Sequence, residues 1–536
     1  MTSNPNEKPQ TELETSRGTW PRQVKFILGN EAAERFSFYG MKGILALYIT
    51  GVLLKTDDRS TSIVHLFSMV VYFMPVLGAW VSDRLWGRYR TILWVSLFYC
   101  LGHAVLACSD LTGSVDTKST MLYAGLGLIA FGAGGIKPCV SAFMGDQFRP
   151  HQRHLIPKAY AAFYWMINLG STLALLVIPW VKDQYGYGLA FGIPGIAMGI
   201  ATFIFWKGTR HYDHVPPQGD PAWRTKLTWL LSILGVIAVL VWLDQSKPDA
   251  LKPALWGAAG AFAVAAAFWT RQMLAKVNSA ASPVDLAAFS VWWYALIRRT
   301  CGKSRSLWDG LESRFTPTAV DHGISFGRIL SIFALIPVWW ALFDQTFSTW
   351  VLQGKQMEPF YIWKYKVGAE VMLSANAILV LIFIPVTTLW IYPAVKWLRT
   401  PLRRMSCGMF LASLSFVVVM WLQQRLDRGE TLSVAWQIAP YVLITFAEVL
   451  ISTTGLEFAF TQAAPAMKST ITGYWQLTVA AGNLLVVLLT QWLGGHGDSS
   501  SVSSGRFLLY AGIMFGAAIL FSLIASRYRY RQAAAD

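Results

Sequence analysis

Apolar stretches of about 20 residues, the length a helix needs to cross a bilayer, recur near residues 24–54, 61–86, 90–109, 119–147, 157–181 and 188–207. A polar linker from Gly208 to Arg224, with Pro216 and Pro217 inside it, separates these six from two runs near 226–244 and 252–275 that carry almost no internal charge. Six more follow near 329–352, 367–395, 402–424, 434–463, 469–494 and 505–526. The pattern predicts an all-α polytopic membrane protein with 14 transmembrane helices in the order six, two, six. It divides into an N-terminal tail (1–23), a six-helix bundle (24–207), a linker with an inserted transmembrane hairpin (208–275), a connection (276–328), a second six-helix bundle (329–526) and a tail (527–536). Arg298, Arg299, Lys303, Arg305 and Arg314 stand in the connection beside Trp292, Trp293 and Trp308, which predicts an amphipathic surface helix and loop instead of a span.

At 54% hydrophobic and 14% charged residues, with a mean hydropathy of +0.42, the chain is too apolar for a soluble multidomain protein, and membrane lipid is its expected surrounding. A net charge of +16 would suit nucleic acid, but the bases collect in the short connections, as they do when they set membrane topology. No nucleic-acid partner is expected. Alternate loops hold Arg84, Arg88 and Arg90, then Arg149, Arg153 and Lys158, then Lys396, Arg399, Arg403 and Arg404, and finally Arg527, Arg529 and Arg531, which places both termini in the cytoplasm. Residues 1–20 are polar, without the apolar core of a secretory signal, so the first span is expected to start insertion. Cys100, Cys108, Cys139, Cys301 and Cys407 show no metal-binding spacing and are read as small core residues.

The first span is the exception to the apolar pattern. Within Asn30 to Tyr48, Glu31, Glu34, Arg35 and Lys42 fall with Phe38 on one face of a helix. A charge at the bilayer centre costs at least about 2.5 kcal/mol, so four on one stripe require partners or a water-filled cavity. Lys137, next to a glycine-rich stretch from Gly125 to Gly135 that lets another backbone approach closely, here expected to be the first helix, supplies a further cation. Glu448 is an isolated acid in a segment otherwise uncharged from Ser433 to Ile451. An integral-membrane enzyme, such as a lipid-linked transferase, would need a histidine or carboxylate cluster at one membrane face. The sequence offers none, His65 and His103 reading as isolated packing groups, so no catalytic residue and no metal ligand is expected.

The loop after the second span, Gly78-AWVS-Asp83-Arg84-LW-Gly87-Arg88, resembles the signature loop of the major facilitator superfamily, in which a helix-end acid pairs with loop arginines as a cytoplasmic latch. The segment Glu31-AA-Glu34-Arg35-Phe36-S-F-Tyr39-Gly40 resembles the ExxER motif of proton-dependent oligopeptide transporters within that superfamily. The segments Phe131 to Phe148, Phe163 to Ser171 and Glu448 to Ser469 resemble further hallmarks of the same family, and the hairpin at 226–275 resembles an extra pair found in many bacterial members. Phe38, Lys42 and Phe343 depart from the bacterial pattern, standing where Tyr, Arg and Glu are common.

The resemblance implies the major facilitator fold, two six-helix bundles around a midplane site, and proton-coupled symport of di- and tripeptides across a bacterial inner membrane by a monomer, with protons as coupling ion and no cofactor. A free peptide offers a carboxylate and an ammonium a fixed distance apart, so a site for it needs a basic pole, an acidic pole and an adaptable aromatic middle. By resemblance, Lys42 and Lys137 receive the carboxylate and Glu448 the amino terminus. Tyr39, Tyr72, Trp340 and Trp475 are candidates for side-chain pockets, while Asn168 and Asn376 serve either as ligand contacts or as helix–helix hydrogen bonds. Glu31, Glu34, Arg35 and Lys137 are the coupling candidates, Lys137 pairing with Glu34 or Glu31 in the empty protein. Lys42 with Asp344 is the candidate extracellular gate, and Asp83, Arg84 and Arg88 the cytoplasmic one. A relative carrying nitrate or another small anion is the alternative, against which Glu448 and the full ExxER argue for zwitterions and protons.

Overall fold

The computed structural model describes residues 20–217, 219, 267, 270–280, 282–284, 288–302, 306–463, 468–494, 500–528 and 530. The expected hairpin at 226–275 lies outside the described residues except for 267 and 270–275. The first bundle comprises α1 (Val24–Gly51), α2 (Asp57–Val81, prolonged by a π-helical turn Ser82–Trp86), α3 (Arg88–Cys108), α4 (Val115–Asp146), α5 (Ile156–Tyr185) and α6 (Tyr187–Lys207). A connecting helix, α7 (Ala288–Thr300), precedes the second bundle of α8 (Pro317–Lys355), α9 (Ala369–Ala394), α10 (Pro401–Asp427), α11 (Val434–Ala459), α12 (Lys468–Gly494) and α13 (Ser504–Ser526). Among the described residues, 11 helices are long and apolar enough to cross a membrane by length and composition. The twelfth bundle helix, α1, has 28 residues and so spans about 42 Å, but it carries the four charges.

Helix starts follow local chemistry. Thr56 caps α2 by accepting from the Arg59 backbone N–H, with Asp57 and Asp58 in the first turn, and Thr316 caps α8 ahead of Pro317. The capped start of α8 explains why it begins twelve residues before the apolar stretch expected at 329: its first three turns are amphipathic and do not register as a span. Those turns join α7 in a small separate core built on Val291, Tyr294, Ala295, Phe315 and Ala319, closed by a parallel bridge between Val284 and Phe315. The amphipathic connection is thus a packed unit fused to α8.

Several helices are interrupted where polar side chains matter. Helix α8 breaks at Ala334–Leu335 ahead of Pro337, and breaks again at a 3-10 turn, Asp344–Phe347, before resuming at Thr349. Helix α11 widens into a π-helical turn, Val449–Thr453, immediately after Glu448. A two-stranded hairpin, β1 (Phe360–Ile362) with β2 (Tyr365–Val367), lies between α8 and α9. Three-residue strands at the mouth of a span leave no alternation long enough to read from sequence.

The glycine stretch of α4 does admit a close neighbour, but that neighbour is not α1. Gly134 lies against Met74 of α2, Gly78 of α2 against the Gly134 carbonyl, and Gly132 against Val95 and Tyr99 of α3. Helix α1 instead meets α5, where a Cβ on Gly170 would stand 2.3 Å from the Ala32 carbonyl oxygen. The cysteines also differ from expectation: only Cys139 is buried, whereas Cys108 ends a membrane helix, where an apolar thiol can face lipid as easily as the core, and Cys301 is exposed in the turn after α7.

Gly170→Ala puts a methyl against backbone that cannot yield, so it should destabilise by about 2 kcal/mol or more. Gly199→Ala in α6, where nothing stands within 4 Å, should be neutral or stabilising by up to about 1 kcal/mol. Thermal unfolding of the two variants in detergent compares them directly.

Candidate functional site

Helix α1 turns its charged stripe inward: Glu31, Glu34 and Lys42 are each at most 1% exposed. Arg35 Nε donates to Glu31 Oε1 at 2.7 Å and lies 3.3 Å from Glu34 Oε2. From α4, Lys137 Nζ lies 3.7 Å from Glu34 Oε1, within Coulomb reach, where a pair is worth about 4 kcal/mol at an effective dielectric of about 20, yet too far for a hydrogen bond. Neither Glu34 oxygen nor Lys137 Nζ has a hydrogen-bond partner among the described residues. The cluster holds two acids and two bases, so it is neutral as a set while one of its pairs is only loosely made.

Phe38 sits between the two lysines. Lys137 Nζ stands 4.2 Å from its ring centre and Lys42 Nζ 5.9 Å, with Lys137 also 5.6 Å from the Tyr72 ring and Lys42 4.3 Å from Phe347. Ring faces hold both cations in place without neutralising them. Lys42 reaches across the bundles to Asp344 Oδ1 at 3.0 Å. The 3-10 turn that interrupts α8 begins at this aspartate, which sits in a short non-α segment.

Behind Asp344 lies a relay that sequence reading missed. Asn483 Nδ2 donates to Asp344 Oδ2 at 2.6 Å and to the Val479 carbonyl, leaving its Oδ1 to accept from His65 Nδ1 at 2.7 Å. His65 Nε2 then faces the Ser348 hydroxyl at 2.9 Å. The amide geometry fixes the proton on Nδ1, so neutral His65 accepts from Ser348. His65 is therefore not the isolated packing group expected. Its partners are 283 and 418 residues away, a separation no sequence pattern spans.

In the second bundle Glu448 is partly buried and has no cationic partner among the described residues; Asn376 Nδ2 donates to its Oε2 at 2.8 Å and to Thr445 Oγ1 at 3.0 Å. Asn376 thus makes a helix–helix hydrogen bond that also orients the acid. Asn168 donates to its own helix at the Tyr164 carbonyl. Tyr39 lies within electrostatic reach of Arg35, Glu34, Asp344 and Glu448, and Tyr164 within reach of Glu448 and Tyr39. Through these two tyrosines the α1 stripe and Glu448 share one electrostatic neighbourhood. Trp340 and Trp475 meet edge to face, centroids 6.1 Å apart, with Trp475 seated on Gly455.

Three further pairs join the bundles at the end where Lys42 meets Asp344. Arg506 of α13 grips Asp58 of α2 with both terminal nitrogens, at 3.1 and 3.2 Å, Lys182 of α5 meets Glu370 of α9 at 2.5 Å, and Lys366 of β2 lies 3.7 Å from Asp183 of α5. At the opposite end, the one bearing the basic loops, the ion pairs among the described residues stay within a bundle. Arg88 binds Asp146 at 2.6 and 2.7 Å and lies 3.4 Å from Asp83, while Arg404 pairs with Glu457. Arg84 is exposed and without an ion pair among the described residues, so the latch expected of Asp83, Arg84 and Arg88 runs from Arg88 mainly to Asp146. Among the described residues, ion pairs thus join the bundles at one end and none joins them at the other.

The family model described as "POT family" matches residues 89–496. Solute carrier family 15 member 2 of Danio rerio is 33% identical over 422 residues, covering 76% of this chain and 50% of that protein. Peptide transporter family 1 of Drosophila melanogaster is 32% identical over 420 residues, covering 76% and 48%. The chain spans about half the length of the curated relatives it matches. Among solved structures, an auto-inhibited POT family peptide transporter is 36% identical, with a TM-score of 0.75, covering 96% of this chain and 99% of that one. The POT family transporter PepTSo is 37% identical with a TM-score of 0.73, covering 95% and 99%. This likeness carries the major facilitator fold over both bundles.

The Lys42–Asp344 pair is open to a stability test. Lys42→Met leaves Asp344 a buried anion held only by Asn483, and should cost about 3–5 kcal/mol. Lys42→Met with Asp344→Leu removes both charges, Asn483 keeping its bond to Val479, and should lie well above the single variant in thermal unfolding. A double variant as unstable as Lys42→Met would show that the two charges do not depend on each other.

Proposed function

The chain belongs to the POT family, and from that premise we propose that it is a proton-coupled symporter importing di- and tripeptides by alternating access, a monomer in a bacterial inner membrane with both termini in the cytoplasm. The observation that carries this reading is the loose contact of Lys137 with Glu34, 3.7 Å apart without a hydrogen bond, in a site whose other pole is a glutamate with no cation beside it among the described residues.

A peptide carboxylate arriving between Lys42 and Lys137 competes for Lys137, and it has little to displace: one Coulomb contact and two ring faces. Once Lys137 turns to the substrate, Glu31 and Glu34 share Arg35 alone, one negative charge in excess. A buried excess charge is relieved most cheaply by a proton. Peptide and proton therefore favour each other through a shared partner, and the linkage is reciprocal. Glu448, held by Asn376, attracts the peptide ammonium, while Tyr39, Tyr72, Tyr164, Trp340 and Trp475 provide the adaptable apolar surface between the poles. No cofactor is called for; the proton is the coupling ion.

The bundles 24–207 and 329–526 rock about this site. Four cross-bundle pairs seal what the loop charges make the extracellular side, so the arrangement corresponds to a state open to the cytoplasm. Opening outward requires Lys42, Asp58, Lys182 and Asp183 to release Asp344, Arg506, Glu370 and Lys366 together.

Uptake of a labelled dipeptide into proteoliposomes under an imposed inward proton gradient tests the reading. The gradient should drive accumulation, and uptake indifferent to it would sink symport. Glu34→Gln should abolish gradient-driven accumulation yet retain peptide counterflow, because it removes the titrating group and spares the poles. Glu448→Gln should weaken peptide binding by a factor within the 5–150-fold range typical of coupled sites, in both assays. Lys42→Asp combined with Asp344→Lys should transport better than either single reversal.

A further inference from the structure

A cavity of about 470 Å3 opens between the first segment of α8 and the end of α13, lined by Arg328 from α8 and by Leu520, Leu523, Ile524, Arg527 and Tyr528. Its floor faces outward, since Leu520 and Leu523 are 48% and 56% exposed. Its upper edge is cationic. Arg328 and Arg527 are exposed, and among the described residues neither forms an ion pair. At the same end Arg88 is taken up by Asp146 and Arg404 by Glu457 and the Leu398 carbonyl, whereas these two arginines, like Arg84, stand without an acid among the described residues.

The level of the two arginines matters. Arg527 caps α13, its backbone N–H donating to the Ile524 carbonyl, and so marks where that apolar span ends. Arg328 stands eleven residues into α8, at the junction between the amphipathic first turns and the apolar stretch that follows. Both cations therefore lie at the boundary between hydrocarbon and headgroups, above an apolar trough that descends along α13. A free phosphate would use the edge and leave the trough unused. A lipid headgroup with its chains uses both, guanidinium groups binding phosphate oxygens as paired donors while acyl chains lie on Leu520 and Leu523.

We propose that this cavity is a binding site for one anionic phospholipid, its phosphate held between Arg328 and Arg527 and its acyl chains in the trough along α13. The lipid would tie the first segment of α8, which ends at the break Ala334–Leu335, to the end of α13. On the orientation proposed above, the site belongs to the cytoplasmic leaflet.

Native mass spectrometry of the full chain, titrated in parallel with dioleoyl phosphatidylglycerol and dioleoyl phosphatidylcholine, tests the assignment. The wild type should bind the anionic lipid more tightly. Each arginine near a headgroup is worth about fivefold, so Arg328→Gln with Arg527→Gln should lower that affinity on the order of 25-fold and erase the preference. Leu523→Trp, which fills the trough and keeps both arginines, should weaken the anionic lipid as well, and stands in if the double variant does not fold. Equal binding of both lipids by the wild type, or a preference untouched by all these substitutions, overturns the site. Glycerophosphoglycerol, the same headgroup without chains, should fail to displace the lipid at equal concentration; displacement would overturn the lipid in favour of a free anion. The readout is lipid binding, so its outcome is separate from whether peptides are carried.

Discussion

A buried charge has to be balanced, and most of the arrangement of this molecule follows from how α1 balances its own. Glu31, Glu34, Arg35 and Lys42 all lie on a membrane-spanning helix, and hydrocarbon offers no solvent to stabilise them. The balance is reached with side chains from elsewhere: Lys137 of α4 and Asp344 of α8. Each is brought within reach by a local departure from regular packing. Helix α4 sinks against α2 and α3 through its glycines, and α8 abandons α-helical geometry at Asp344. The gain is not mainly stability, because buried ion pairs seldom outperform apolar packing. What such pairs provide is exchangeability, since each member can be satisfied by a different partner without exposing a bare charge.

The two kinds of contact differ in how tightly they are made. Lys42 with Asp344, and Arg506 with Asp58, are made at hydrogen-bond distance and secured from behind, the former by the Asn483–His65–Ser348 relay. Lys137 with Glu34 is held by field alone. A strong cross-bundle seal beside a weak central pair means that a ligand disturbs the centre before it disturbs the seal. Glu448 has a related character: an amide orients it without neutralising it, so it stays available to a cation from outside the chain.

Much of the fold was legible because apolar length and loop charge are local properties. The twelve bundle helices follow the apolar runs, with the largest shift at α8, whose first turns are amphipathic. The charged stripe, Lys137 and Glu448 could be found because a charge within an apolar run stands out whatever the tertiary structure. Polar uncharged residues do not stand out in that way. His65, Asn483 and Ser348 look like ordinary helix-packing groups until three distant segments meet. The seals Lys182–Glu370 and Asp58–Arg506 were illegible for a different reason. Each partner lies near a span end, where charges are common and topology alone accounts for them. The glycine partners of α4 required knowing which helices are neighbours, which connection order does not give in a bundle.

The connection between the bundles has a mechanical consequence. Helix α7 shares its core with the first turns of α8 and is bridged to the segment before them through Val284 and Phe315, so it forms part of the second bundle's rigid frame. In the proposed rocking of the bundles, α7 swings as an extension of α8. A label on α7 would therefore act as a pointer for the second bundle, moving with the tilt of α8 and magnifying it at the molecule's edge.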